Sequence, residues 1–170
     1  RPAVIYSNNE PTTWFRRGER HRHHDRPAQI YNNGDMRWWN HGETHRDHDR
    51  PAVIPQDGIL EWIQHSRTHR DHDRPANIVP FSHRSWYQHG KLHRDGGRPA
   101  VVCENGDREW CQHGQLHRDR GRPASIEGDG AQKWFLRDCK HRKYDRPTSV
   151  YADGRQVWCN GRSPYTVRSR

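Results

Sequence analysis

Residues 50–73 read RPAVIPQDGILEWIQHSRTHRDHD. The stretch opens on a short β-branched run, passes through Asp57-Gly58 to Trp62, and closes on a dense cluster of His, Arg and Asp. Alone, that cluster is compatible with a metal site, a proton-transfer centre or a piece of repeated structure. The rest of the chain decides between them. Arg-Pro recurs at Arg1, Arg26, Arg50, Arg74, Arg98, Arg122 and Arg146, and Trp recurs every 24 residues at Trp14, Trp38, Trp62, Trp86, Trp110, Trp134 and Trp158. The one extra residue of the first segment falls before Trp14, inside YSNNEPTTW, as a turn insertion. The unit is R-P-A-x-I-x-x-x-G-x-x-x-W-φ-x-H-G-x-x-H-R-D-x-D, with φ apolar, and internal repetition of this kind outranks every other signal. The expected organisation is one array over 1–170, with units 1–25, 26–49, 50–73, 74–97, 98–121, 122–145 and 146–170.

Composition agrees with an array and not with an ordinary domain. Apolar residues are 29% of the chain, against roughly 45–50% in typical globular domains, so one large core is excluded. Disorder is the usual outcome of low hydrophobicity and high charge, but eight Trp, seven of them evenly spaced, argue for order. Helix is a poor reading, because Pro and Gly recur too often and the 3.6-residue period is missing. Strands fit. PAVI, PAQIY and PAVVC are short β-rich runs, and Asn33-Gly34, Asp57-Gly58, Asn105-Gly106, Asp129-Gly130 and Asp153-Gly154 follow them as hairpin turns. His41-Gly42, His89-Gly90 and His113-Gly114 supply a second turn after Trp. The expected fold is all-β: tandem 24-residue β-hairpin repeats in an elongated single-layer meander sheet or shallow β-solenoid.

The pattern also names a core. The Trp column joins Ile5, Ile30, Ile54, Ile78, Val102, Ile126 and Val150 as the apolar spine. A two-residue turn at His65-Ser66 sets Trp62 opposite His69. Whether Ala and Ile share the Trp face depends on whether the Asn/Asp-Gly loop has two residues or three, since a one-residue slip reverses every side chain. A single unit buries too little to fold alone, so stability is expected from stacking neighbours, indole on indole and Ile on Ile. The final unit, with CNGRSPYTVRSR after Trp158 and Tyr165 in place of His, has the look of a cap. Arg1 begins mid-pattern, and an uncapped sheet edge invites a protein partner or self-association.

The string EWCQHGQLHRD, residues 109–119, resembles a MORN-type repeat: an aromatic strand, a turn containing Gly, then a second strand. The resemblance covers all seven units. It departs where MORN repeats carry Gly after His, since Arg22, Arg46, Arg70, Arg94, Arg118 and Arg142 stand there. The H-R-x-x-x-R-P-A-x-I form is similar to the HR…RPAVI repeats of proteins from large DNA viruses and phages. The resemblance implies a β-hairpin meander serving as scaffold or interaction surface, in a viral, virion-associated setting. It carries over no catalytic residues.

The His/Arg/Asp cluster then reads as an ionic ladder, with Asp25, Arg26, Asp49, Arg50, Asp73, Arg74, Asp145 and Arg146 in adjacent pairs and an Arg column beside an Asp column up the stack. A catalytic centre needs one well-held constellation, whereas this motif recurs in drifting copies. Two alternatives stay open. H-x-x-x-H pairs near Asp suggest a metal-binding array, with His41, His45, His65, His69, Asp71 and Asp73 as candidate ligands. A net charge of +9 with interleaved aromatics suggests a binder of nucleic acid or another anionic surface, with rings as stacking platforms. No Ser, Cys or Thr holds a fixed place in the repeat, and G-x-S-x-G and P-loop motifs are missing. The expectation is a non-enzymatic scaffold with no cofactor and no small-molecule substrate. Cys103, Cys111, Cys139 and Cys159 lack C-x-x-C spacing and read as free thiols in a reducing compartment, intracellular or in a virion. No apolar run approaches the ~20 residues of a membrane span.

Overall fold

A computed structural model describes residues 10–144 and 146–159, and the backbone alone at 160 and 163–168. Ile5, Asp145 and residues 6–9 of the first-segment insertion lie outside the described residues. The described chain is all-β, and no helix in it is long and apolar enough to cross a membrane. Two compact units form, Arg1–Gly90 and Lys91–Arg170. In the first, an antiparallel meander runs Thr12–Thr13, Gln29–Ile30, Met36–Arg37, Val53–Ile54, Leu60–Glu61, Asn77–Val79, His83–Ser85. The second runs Val101–Cys103, Arg108–Glu109, Ser125–Ile126, Gln132–Lys133, Ser149–Val150, Gln156–Asn160, Ser163–Arg168. Past each Trp from Trp14 to Trp134 the chain leaves this ladder and forms a separate small hairpin, such as Ile63–Gln64 with Arg67–Thr68 or Cys111–Gln112 with Gln115–Leu116. A repeat is therefore a ladder hairpin plus a satellite hairpin, with Trp at the joint.

Turn chemistry dictates both hairpins. The satellite turn has two residues in the left-handed region, for example His41 (φ 47°) and Gly42 (φ 80°), or His65 (φ 47°) and Ser66 (φ 58°). This type I′ geometry matches strand twist. The ladder turn has three residues. Gly34 donates its N–H to Tyr31 O at 2.9 Å, Tyr31 N–H bonds Asp35 O at 2.9 Å, and Gly34 itself sits at φ 90°. That is a type I turn closed by a glycine bulge.

The three-residue loop settles which residues share a row. Gln29 pairs with Arg37, so Ala28 comes level with Trp38. Trp38 N–H donates to Ala52 O at 2.8 Å, and Trp62 N–H to Ala76 O at 2.8 Å. In the second unit, Trp110 donates to Ala124 and Trp134 to Thr148 in the same way. Trp and Ala thus alternate along one row. Ala28, Ala52, Ala76, Ala100 and Ala124 are wholly buried, Trp38, Trp62, Trp110 and Trp134 are buried, and Trp14, Trp86 and Trp158 are half-buried. Ile30, Ile54, Ile78, Val102, Ile126 and Val150 are only half-buried. The expected stacking of indole on indole is replaced by Trp-Ala-Trp, because the ladder inserts a strand between successive Trp strands and only a methyl fits beside the rings. Each buried indole contributes roughly 1.5–3 kcal/mol before chain entropy. At the C-terminal side Gln156–Asn160 pairs with Ser163–Arg168, which lengthens the last ladder hairpin.

Candidate functional site

The His-Arg-Asp loops carry most of the chemistry-bearing side chains, and the loop at residues 69–76 shows how they are placed. The satellite hairpin returns until His69 N–H donates to Trp62 O at 3.0 Å. The next side chain, Arg70, folds back with its guanidinium carbon 3.7 Å from the Trp62 ring centroid. Its Nη1 donates to Pro75 O at 3.1 Å, tying the two ends of the loop together. Between them His72 and Asp73 take φ 60° and 55°, and Arg74 N–H reaches Asp71 O at 3.4 Å. The D-x-D-R string is therefore a second type I′ turn. The indole of the following repeat pins it, Trp86 Nε1 donating to Asp73 O at 3.0 Å. The same three devices recur at Arg46, with Trp38 at 3.8 Å, Pro51 O at 3.1 Å, and Trp62 Nε1 on Asp49 O at 3.0 Å.

Acidic side chains in this turn reach forward by one repeat. Asp25 accepts Arg46 Nε at 2.7 Å and Nη2 at 2.9 Å, and also Arg50 Nη1. Asp49 accepts Arg70 Nε at 2.6 Å and Nη2 at 3.0 Å, and also Arg74. The Asp and Arg columns of the expected ladder thus meet between repeats, Asp25 with Arg50 and Asp49 with Arg74, and each Asp bonds an Arg one copy on. The turn splays adjacent side chains apart, and the carboxylate lies over the next repeat's guanidinium. The Arg46 hydrogen bonds, reinforced by Arg50 against the cost of burial, hold the Asp25 carboxyl down at about 2. Arg70 is the main cause of a lowered value at Asp49. Asp145 lies outside the described residues, and Asp73 is not without a partner.

Histidines form a parallel device. His69 Nδ1 accepts the His89 backbone N–H at 3.3 Å, while its Nε2 faces Asp71 Oδ1 at 3.1 Å. An accepting Nδ1 requires the proton on Nε2, so Nε2–H donates to the carboxylate. His45 repeats this with His65 N–H at 3.3 Å and Asp47 at 3.0 Å, and His93 with His113 N–H at 3.1 Å and Asp95 at 3.0 Å. The second turn residue adds a backbone bond, Ser66 N–H to Thr44 O at 3.0 Å and Gly90 N–H to Thr68 O at 2.9 Å. His21 departs, its Nε2 meeting His23 instead of a carboxylate. Burial, then His23, His41 and Arg16, push its value down.

The candidate metal ligands are distributed by this geometry. His41 stacks near His21 (centroids 4.4 Å) and faces Glu19 at 3.4 Å, while His45 lies against His65 (4.8 Å). His65 Nδ1 contacts Glu43 at 2.8 Å, and His69 stacks on His89 at 4.7 Å. The H-x-x-x-H partners face different neighbours: His21–His41, His45–His65, His69–His89 and His93–His113 each pair across twenty residues, and His21 also meets His23. Among the described residues, no three His, Cys, Asp or Glu side chains gather as a metal cage. The expected stacking platform is also altered, since Arg22, Arg46, Arg70, Arg118 and Arg142 each cover a Trp ring within 3.8 Å.

In the second unit the pattern loses one member. Gly97 and Gly121 occupy the position of Asp25 and Asp49. Arg118 keeps its place, 3.6 Å over Trp110 with Nη1 on Pro123 O at 3.2 Å, yet its buried Nε has no partner among the described residues. Burial and nearby Arg122 push the Arg118 guanidinium down, as burial and Arg146 do at Arg142. The four cysteines are unbridged, from buried Cys111 to exposed Cys139. The chain matches no protein-family model and no curated protein sequence.

Proposed function

We propose that this chain is a non-enzymatic structural and protein-interaction scaffold. One observation carries the reading: the side chains that most resemble catalytic equipment are engaged in holding the fold. In the loop at residues 69–76, His69 spends both ring nitrogens on Asp71 and the His89 backbone. Arg70 spends its donors on Pro75 and Asp49 while its face lies on Trp62. A group so committed is a poor general base, nucleophile partner or metal ligand, because function would first require breaking packing. The viral, virion-associated setting rests on the likeness of the H-R…R-P-A-V-I form alone.

The test is purification of the native protein from its source, with identification of what accompanies it. A stoichiometric protein partner or self-assembly that survives nuclease and chelator treatment supports the scaffold. Co-purifying nucleic acid, released steeply by salt, supports the anion-binding alternative. A stoichiometric metal that resists dialysis supports the metal array. Anion binding is favoured by one specific feature, the two arginine pairs of the second unit that lack the Asp of the first.

A further inference from the structure

The geometry points to a pair of carboxylate-binding sites, at Gly97 and Gly121, where the arginines of the following repeat receive Asp or Glu side chains from an acidic segment of a protein partner. The template is inside the same chain. At Asp25 and Asp49, one Arg presents Nε and Nη2 to the two carboxylate oxygens and a second Arg, four residues on, closes from the side. This fork-to-fork arrangement is the strongest form of Arg recognition. In the second unit the receiving half is preserved. Arg118 and Arg142 lie 3.6 Å over Trp110 and Trp134 and hold Pro123 and Pro147 carbonyls at 3.2 and 3.1 Å. Arg122 and Arg146 occupy the positions of Arg50 and Arg74. The donating half is replaced by glycine, and Arg118 Nε, the atom that would take the first oxygen, is buried without a partner among the described residues. A buried donor left unmatched destabilises the fold, so a ligand that satisfies it is bound with that penalty relieved.

Both sites border clefts. A cleft of about 570 Å³ is lined by Gly97, Trp110, Arg118 and Arg122, and another of about 440 Å³ by Gly121, Trp134, Arg142 and Arg146. Asp119 borders both clefts, but its carboxylate is held by His117 Nε2 and Gln112 Nε2, each at 3.0 Å. Spacing selects the kind of ligand. The sites lie two ladder strands apart, about 10 Å at ~4.8 Å per strand. A polyproline II segment, with three residues per turn and about 3.1 Å rise, sets residues i and i+3 on one side roughly 9 Å apart. An extended D-x-x-D segment therefore spans both sites, which a free oxyanion cannot do.

The proposal rests on the scaffold reading only in taking the partner to be a protein. The experiment is fluorescence anisotropy of a labelled peptide bearing two aspartates three positions apart in a Gly/Ser background, titrated with the full chain. Binding that weakens with salt is expected, and a peptide with adjacent aspartates should bind several-fold less tightly. Gly97→Asp with Gly121→Asp supplies both carboxylates in cis. The glycines lie at φ 68° and 66° with nothing within 4 Å of an added Cβ, and Asp25 and Asp49 hold φ 52° and 54°. The double variant should melt at a higher temperature and lose peptide affinity by about tenfold or more, as expected for losing a charge-assisted bidentate pair. Arg122→Gln should lose binding with the fold intact, whereas Arg50→Gln should leave binding unchanged. Retained peptide binding in the glycine double variant would overturn the sites. Displacement of the peptide by equimolar inorganic phosphate would overturn the choice of an acidic segment. A wild-type chain that ignores the peptide yet purifies with a stoichiometric protein partner would overturn the carboxylate sites and leave the scaffold standing.

Discussion

Replacing Arg70 by Lys keeps the charge and removes the shape, and it tests how the repeat is held. Arg70 stacks on Trp62, donates to Pro75 O, and grips both oxygens of Asp49. An ammonium can serve one of these directions and not all three. The loss includes two charge-assisted hydrogen bonds, each worth about 1.5–3 kcal/mol when well shielded. The Asp49 side chain is 34% exposed, so water and residual Coulomb attraction return much of that, leaving about 0.5–1 kcal/mol each. Lost guanidinium stacking adds about 0.5–1 kcal/mol. The expected cost is about 1.5–3 kcal/mol, read from the urea midpoint by Trp fluorescence at neutral pH, with an unchanged m-value. Arg118→Lys is the internal control. It loses the same stacking and the Pro123 geometry but no carboxylate, and it removes an unmatched buried N–H, so its cost should be about 1 kcal/mol, from the stacking alone. A near-neutral Arg70→Lys, or an equal cost for both variants, would refute the account of Arg as the filling between indole and carboxylate.

Other consequences are as direct. Ala76→Val adds two methyl groups to a fully buried site beside the indoles and should cost about 1–3 kcal/mol by overpacking, measurable in the same urea series. Asp25, held at about 2 against an ordinary 3.8, contributes stability that is fully present above about pH 4 and lost as pH falls toward 2. After allowance for solvent screening this is about 1 kcal/mol, and Asp25→Asn should flatten acid titration of stability in that window. His21, pushed down by burial, binds its proton less readily folded than unfolded, so its contribution is present above its ordinary 6.5 and declines below it. Melting curves of His21→Gln should show a weaker pH dependence than wild type between pH 7.5 and 5.5. A thiol reagent should modify exposed Cys139 first, while Cys111, buried and pushed up to about 12, should react only on unfolding. Equal rates at the two thiols would contradict the packing.

Much of the fold was legible because β-turn chemistry is local. Asn/Asp-Gly and His-Gly mark turns through φ alone, and the Trp spacing places them in order. The Trp62–His69 register followed from a two-residue loop, as seen in the His69 N–H bond to Trp62 O. Three features lay beyond composition. Ala carries too little surface to look like a core residue, so the Ala row at zero exposure was hidden behind Ile, which is merely half-buried. Arg reads as surface charge, yet it covers the indole faces. The Asp partners sit 21 and 25 residues ahead, a separation fixed by how hairpins stack and invisible to neighbour pairing. The signal that was available is the co-occurrence of Asp before R-P with H-R in the next copy, and its loss at Gly97 and Gly121.

Among the described residues, the bonds made by the backbone N–H groups of the satellite turns run one way. His65 and Ser66 donate backward to His45 Nδ1 and Thr44 O, and His89 and Gly90 to His69 Nδ1 and Thr68 O. His21, His45, His69 and His93 each offer Nδ1 to the next turn, and the residue before each of them offers its carbonyl, much as one tile accepts any other of its mould. Excision or duplication of a whole 24-residue block therefore rejoins matching surfaces, whereas loss of a single residue misaligns every downstream contact. Array length is consequently free to vary by recombination, and reading-frame-preserving gain or loss of entire copies is the change this architecture tolerates best.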